Sequence, residues 1–291
     1  MLETDYSRRK LLKTIGAGTL ALALPRFNAL SAPAYKPKIA LQLYSIRRQI
    51  EKDFDGSIQK VAAMGFEGIE TYALPDNVPL EHAAKVFRDS GLKVTSMHTE
   101  LPAGDKKEGV LKLADAYSCE IAIYPGWPQG EKYRDVAATK HMVEVYDEAS
   151  AFLKGKGLKF GLHNHWWEFE LTDGITPYYY LLDHVSKDVV FEVDTYWAKT
   201  GGQDPAKVLK RFGKRAPLLH IKDGPAIKGD KALEQVPAGE GVMDFPAIVK
   251  AGGTNIKWMI VEFDEYAKDI FDGIQMSYTY LTKNGLAAGK V

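Results

Sequence analysis

The feature that most constrains the fold is an alternation. From Lys38 onward the 291-residue chain switches repeatedly between short apolar, β-rich runs and longer stretches with helical periodicity. The strand candidates are "KIALQLYS", "EGIETY", "LKVTSMH", "EIAIYPGW", "KFGLHNH", "VVFEVDTYW", "PLLHIKD" and "KWMIVEFDEY". Helical patterns lie near residues 53–65, 79–90, 106–118, 132–154, 175–186, 204–213, 244–251 and 267–284. Glycines in "AMGFEG", "DSGLKV" and "GKGLKF" stand where a helix must end before the next strand. In "DFPAI", Asp244 is a predicted N-cap with Pro246 in the first helical turn. Eight strands alternating with eight helices predict one (β/α)8 TIM barrel over residues 38–286. A doubly wound open sheet would be expected to carry a glycine-rich phosphate loop after an early strand, and none occurs.

The first 34 residues read differently. In "SRRKLLKTIGAGTLALALP", Arg8 and Arg9 precede an apolar run from Leu11 to Leu24 that Pro25 closes. The run is too short to span a bilayer comfortably and matches the core of a signal peptide. The arginine pair predicts a twin-arginine export signal, with cleavage after Ala32 or Ala34, a periplasmic destination and no stable membrane anchor. Lys+Arg and Asp+Glu both number 38, so no basic excess points to a nucleic-acid partner. The single cysteine, Cys119, excludes an intramolecular disulfide.

In a barrel of this kind the active site lies at the C-terminal ends of the strands. Polar pairs two residues apart collect there: Glu70 and Tyr72, Ser96 and His98, His163 and His165, Glu192 and Asp194, His220 and Lys222, Glu262 and Asp264. Members of each pair share one face of a strand. If that face points inward, several imidazoles, several carboxylates and one ammonium meet in one place. Unpaired charges are costly to bury, and a divalent cation is the simplest way to satisfy such a set. Histidine with Asp and Glu, without cysteine, suits Mn²⁺, Zn²⁺, Co²⁺ or Fe²⁺. Glu192 lies deeper than Asp194 and is expected to pair with a lysine. Lys222 is expected to pair with Asp223 or Asp194. The irregular segment 223–243 is long for a compact barrel and is therefore predicted to be functional.

With "LQLYSIR", "GFEGIE", "LHNHWWEF", "FEVDTYWA", "LHIKDG", "GEGVMDF" and "VEFDEY" in this order, the chain resembles the xylose isomerase-like TIM barrels, specifically the sugar phosphate isomerase/epimerase group. The resemblance implies one divalent metal, Mn²⁺ first and Zn²⁺, Co²⁺, Fe²⁺ or Mg²⁺ otherwise, held by His163, Asp194, His220 and Glu262. It also implies a small sugar substrate and, as in several relatives, association into a homo-oligomer. Two positions depart from the group. His163 stands where the epimerases carry a glutamate that also transfers a proton, and Trp197 stands where several carry a histidine.

The implied chemistry is proton abstraction next to a carbonyl. Glu262 is the first candidate base, with His165 or Glu168 as the opposing acid/base. Lys222 and His98 are assigned to substrate hydroxyls or the enediolate oxygen, and Glu70 to a further hydroxyl. Trp127, Trp166 and Trp197 are assigned to a sugar-stacking wall, with Tyr44 expected to pack beneath the loops. A lyase acting on an oxidised sugar such as a 3-keto-glycoside would start from the same enolate. A non-catalytic sugar-binding barrel would predict lost ligands, and all four ligand positions retain coordinating side chains.

Overall fold

The computed structural model describes residues 35–126 and 131–290. The predicted signal segment and Trp127 lie outside the described residues.

Eight strands form a closed parallel barrel in sequence order, with β8 pairing back onto β1. They are β1 (Lys38–Gln42), β2 (Gly68–Thr71), β3 (Lys93–His98), β4 (Ile121–Tyr124), β5 (Lys159–His163), β6 (Val190–Asp194), β7 (Leu218–Ile221) and β8 (Trp258–Val261). The predicted helices are all present as α2 (Phe54–Ala63), α3 (Leu80–Asp89), α4 (Lys106–Tyr117), α5 (Val136–Lys154), α6 (Pro177–His184), α8 (Pro205–Phe212), α9 (Phe245–Gly252) and α10 (Ile270–Lys283). Two short helices, α1 (Arg47–Ile50) and α7 (Thr195–Thr200), are additions at the C-terminal rim that the sequence reading did not anticipate.

Local chemistry sets the boundaries. Asp53, Asp135, Asp204, Asp244 and Asp269 each accept hydrogen bonds from backbone N–H groups of the first turn of the following helix. Each supplies an acceptor to donors that have no partner within the helix. At the other end, Gly91 and Gly157 adopt φ of +65° and +77°, letting Leu92 and Leu158 donate back to Phe87 and Leu153. That left-handed residue is the turn which sends the chain from helix into strand.

Strand alternation divides the apolar residues into two cores. Ile39 and Leu41, Leu219 and Ile221, and Met259 and Val261 face outward into the layer beneath the helices. Ala40, Ile123, Leu218 and Ile260 face inward and fill the lower barrel. Gly161 belongs to this constricted interior, where an added Cβ would lie 2.9 Å from Val190 Cγ2. Two residues further along the inner face, the character reverses: Gln42, His163, His220 and Glu262 are all buried and polar.

On β3 the alternation is reset. The register with β2 slips between Ile69 and Glu70, which pairs Glu70 with Ser96 and leaves Thr95 as an extra residue. Val94 and Met97, three apart, therefore both face the outer core, and Ser96 meets Glu70. Thr95 Oγ1 steadies the bulge by donating to the Ile69 carbonyl at 3.1 Å.

Candidate active site

Buried ionisable groups converge at the C-terminal end of the barrel around His220, which is itself fully buried. Its Nε2 lies 2.7 Å from Glu70 Oε1 and 3.2 Å from Glu192 Oε2, and its Nδ1 lies 2.6 Å from Glu262 Oε2. His98 Nε2 sits 2.7 Å from Glu192 and 3.0 Å from Glu70. The His163 ring is 4.6 Å from that of His220, with its Nδ1 3.4 Å from Glu192. Glu192 thus stands among three imidazoles, and the expectation of a lysine partner is wrong. The reason is geometric: Glu192 is in register with His163 of β5, its carboxylate reaches on to His98 and His220, and the floor lysine, Lys222, meets Asp194 instead.

Lys222 forms the other half of the floor. Its ammonium contacts Asp194 at 2.9 Å, Glu262 at 2.7 Å and Asp264 at 3.1 Å. Of its two expected partners only Asp194 is realised. Asp194 also caps α7, accepting from the Trp197 N–H at 2.8 Å. Asn164 holds the Asp194 main chain from the side, donating to its carbonyl and accepting from its N–H.

The protonation pattern follows from this crowding. Burial opposes charge on His98, but Glu70 and Glu192 outweigh it and raise its pKa to about 10. Burial also opposes charge on His220, and Glu192, Glu262 and Glu70 again prevail. His163 goes the other way: burial and the neighbouring His220, His165 and His98 push it well below the usual range. It is therefore a neutral imidazole with a lone pair to give. Burial, reinforced by the charge of Glu70, lifts the Glu192 carboxyl to about 8. Glu262 stays a carboxylate, since Lys222 and His220 overcome its burial.

This donor set fits a divalent cation. Ligand atoms of His98, His163, Glu192 and His220 lie within 4.8 Å of one another, and so do those of Asp194, His220 and Glu262. His220 belongs to both groups. The quartet expected from sequence is thus divided, with His163 in one group and Asp194 and Glu262 in the other. His163 Nδ1 and Glu192 Oε1 are buried without a hydrogen-bond partner, the condition a metal would relieve.

Above the floor the pocket opens to about 490 Å³. His98, His163, His165, Trp166, Trp197, Lys222 and Glu262 all line it, as the sequence led one to expect. Tyr44 lines it too and is 38% exposed, so its expected place beneath the loops is corrected. Its position at the end of β1 puts it on the rim, where Arg47 covers its ring at 4.1 Å. Glu70 is fully buried beneath His98 and His220 rather than on the pocket wall. Glu168 folds back to accept from the His165 N–H at 2.8 Å and braces the turn after β5. Trp167 stacks on the His165 ring at 4.1 Å.

Three contributors escaped the sequence reading. Gln42 donates to Glu70 at 2.5 Å from the inner face of β1. The inner-face rule that selected the other residues would have found it. Asn164 is uncharged and alternates with the histidines at the end of β5, so the inner-face pattern does not single it out. Asp223 accepts from the N–H groups of Gly224, Gly239, Gly241 and Met243, at 2.9 to 3.1 Å. One buried carboxylate therefore pins both ends of the long segment after β7. That segment supplies Gly229, Ala232 and Leu233 to the pocket wall.

The family model of xylose isomerase-like TIM barrels matches residues 58–279. The chain belongs to the xylose isomerase-like TIM barrel family. Two solved structures of sugar phosphate isomerases/epimerases from Parabacteroides distasonis are similar to it. One is 26% identical, covering 87% of this chain and all of the other, with a TM-score of 0.71. The second is 23% identical over 91% of this chain and all of the other, with a TM-score of 0.73. The IOLI protein, solved with a bound zinc atom, shares the fold at 17% identity and a TM-score of 0.65, covering 86% of this chain and 98% of its own. Among curated proteins none matches the sequence. Within this xylose isomerase-like family, the described residues include no helix long and apolar enough to cross a membrane.

Proposed function

We propose that this xylose isomerase-like barrel is a divalent-metal-dependent isomerase or epimerase of a keto-sugar. The observation that carries the reading is the convergence of His163, Asp194, His220 and Glu262 on one buried floor beneath a ligand-sized pocket. These four would hold the ion. When bound, it supplies Lewis-acid polarisation of the substrate carbonyl.

The chain's own groups supply the rest. Glu262 reaches the pocket as a carboxylate and accepts the proton next to the carbonyl. The Lys222 ammonium, adjacent to Glu262, donates to the oxygen on which negative charge develops. His165, from the β5 side of the mouth, returns a proton from the other direction. Glu168 and Trp167 hold His165 in place. Arg8 and Arg9 ahead of the apolar Leu11–Leu24 run support export of the finished protein.

A second reading is favoured by the size of the pocket, which extends well beyond the ionisable floor. A lyase acting on an oxidised sugar, such as a 3-keto-glycoside, would use the same base. Glu262 removes the proton next to the carbonyl, the C–O bond at the β position breaks, and the departing oxygen keeps the bond pair and takes a proton from an imidazole. NMR in D₂O on a panel of keto-hexoses and 3-keto-glycosides, with and without chelator, tests both. Chelator-sensitive exchange of one C–H is expected, and the product separates epimer from elimination. Absence of exchange on every compound, with metal demonstrably bound, would overturn the enolate chemistry.

A further inference from the structure

The mouth of the pocket differs from its floor, and it carries its own information about the substrate. Tyr44 and Tyr72 follow β1 and β2, whereas Trp166 follows β5, so the two sets face each other across an eight-stranded barrel. The tyrosine rings meet edge to face at 5.6 Å. Leu233, 42% exposed, and Ala232 add an aliphatic wall from the segment after β7. Each aromatic side is flanked by a paired cation. Arg47 lies over Tyr44 and is bound to Glu265 at 2.7 Å. Lys228 lies 5.3 Å from the Trp166 ring and is bound to Glu170 at 2.6 Å.

The cations are as telling as the rings. Arg47 and Lys222 are the lysine and arginine side chains among the described residues that line the pocket, and both are already neutralised by carboxylates within 3.1 Å. A phosphoryl group would need an uncommitted guanidinium or ammonium, or a cluster of N–H donors. The mouth offers apolar faces instead, already ordered and so cheap to bind against.

We infer that the substrate is an unphosphorylated sugar bearing an aromatic substituent, which lies in the mouth between the Tyr44–Tyr72 pair and Trp166 while the sugar occupies the floor. This rests on the proposal that the floor takes the sugar. It adds the class of the group attached to it.

Calorimetric titration of the metal-loaded protein with phenyl β-glucoside, methyl β-glucoside, phenol and methyl β-glucoside 6-phosphate tests the inference without turnover, since none presents a carbonyl. The phenyl glucoside should bind about tenfold more tightly than the methyl glucoside, the scale of one well-placed aromatic contact with its buried area. Trp166→Ala and Tyr72→Ala should each bring that ratio toward one. Equal binding of the two glucosides, a ratio that survives both substitutions, or tighter binding of the sugar phosphate would overturn the inference while leaving a sugar at the floor. Phenol binding as tightly as its glucoside would instead remove the sugar from the floor, and with it the substrate class. Failure of both glucosides to bind would overturn it as well.

Discussion

Leu218 and His220 lie two residues apart on one face of β7, yet they inhabit opposite surroundings. Leu218 packs with Ala40, Ile123 and Ile260 in a dry inner layer. His220 has four carboxylates within 3.9 Å. The same contrast recurs on β1 with Ala40 and Gln42, and around β8 with Ile260 and Glu262. The lower layer can be filled by shape alone, because each residue brings its own driving force for burial. The upper layer is held together only collectively. Each carboxylate or imidazole is tolerable there because its neighbours, and a cation when present, compensate it.

The sharpest way to break this comparison is to remove a group from the upper layer. Asp194→Ala and Glu262→Ala should abolish stoichiometric metal binding and lower turnover by about three orders of magnitude. Several kcal/mol of Lewis-acid stabilisation correspond to that factor. Metal analysis of the dialysed variants alongside product assays reads both effects, and a variant that kept its metal and full activity would end the assignment. In the lower layer, Leu218→Ala should cost about 2–5 kcal/mol in chemical denaturation. Its metal content should match the parent protein, since no ligand is touched. Loss of metal there would mean the two layers are not separable.

Glu192→Gln sharpens the distinction within the floor. If the metal lies with Asp194, His220, Glu262 and His163, Glu192 acts through the imidazoles. Affinity should then fall by about 10–100-fold rather than vanish. Complete loss in a metal titration would make Glu192 a ligand and shift the centre toward His98. The smallest effect is expected from Trp197→Phe. The indole N–H is buried, has no hydrogen-bond partner and lies on a ring that lines the pocket. Its loss should raise KM by about threefold to tenfold at nearly constant kcat, the worth of one net hydrogen bond.

Legibility in the sequence followed the same division. Period-two and period-3.6 patterns, with aspartates and glycines at the helix ends, sufficed for the barrel because those signals are local. The inner-face pairs identified the ionisable floor for the same reason. What could not be read was which charges pair. Glu70 meets His220 across 150 positions of sequence, and only barrel closure brings them together. The bulge at Thr95 was equally invisible, since "LKVTSMH" alternates plausibly without it. Glu168 looked like an acid in waiting because its distance from His165 was apparent and its direction was not.

The grip of Asp223 has a consequence for how such a protein can diversify. Its carboxylate holds main-chain N–H groups at positions 224, 239, 241 and 243, and Tyr196 likewise contacts main-chain atoms of Ala226 and Ala232. Few side chains between these anchor points are needed to keep the segment in place. Leu233, half-exposed on the pocket wall, is thus free to change with little penalty to folding, while still facing whatever enters the barrel. A fixed clasp around an interchangeable cassette lets one scaffold try new cargo without rebuilding its foundations.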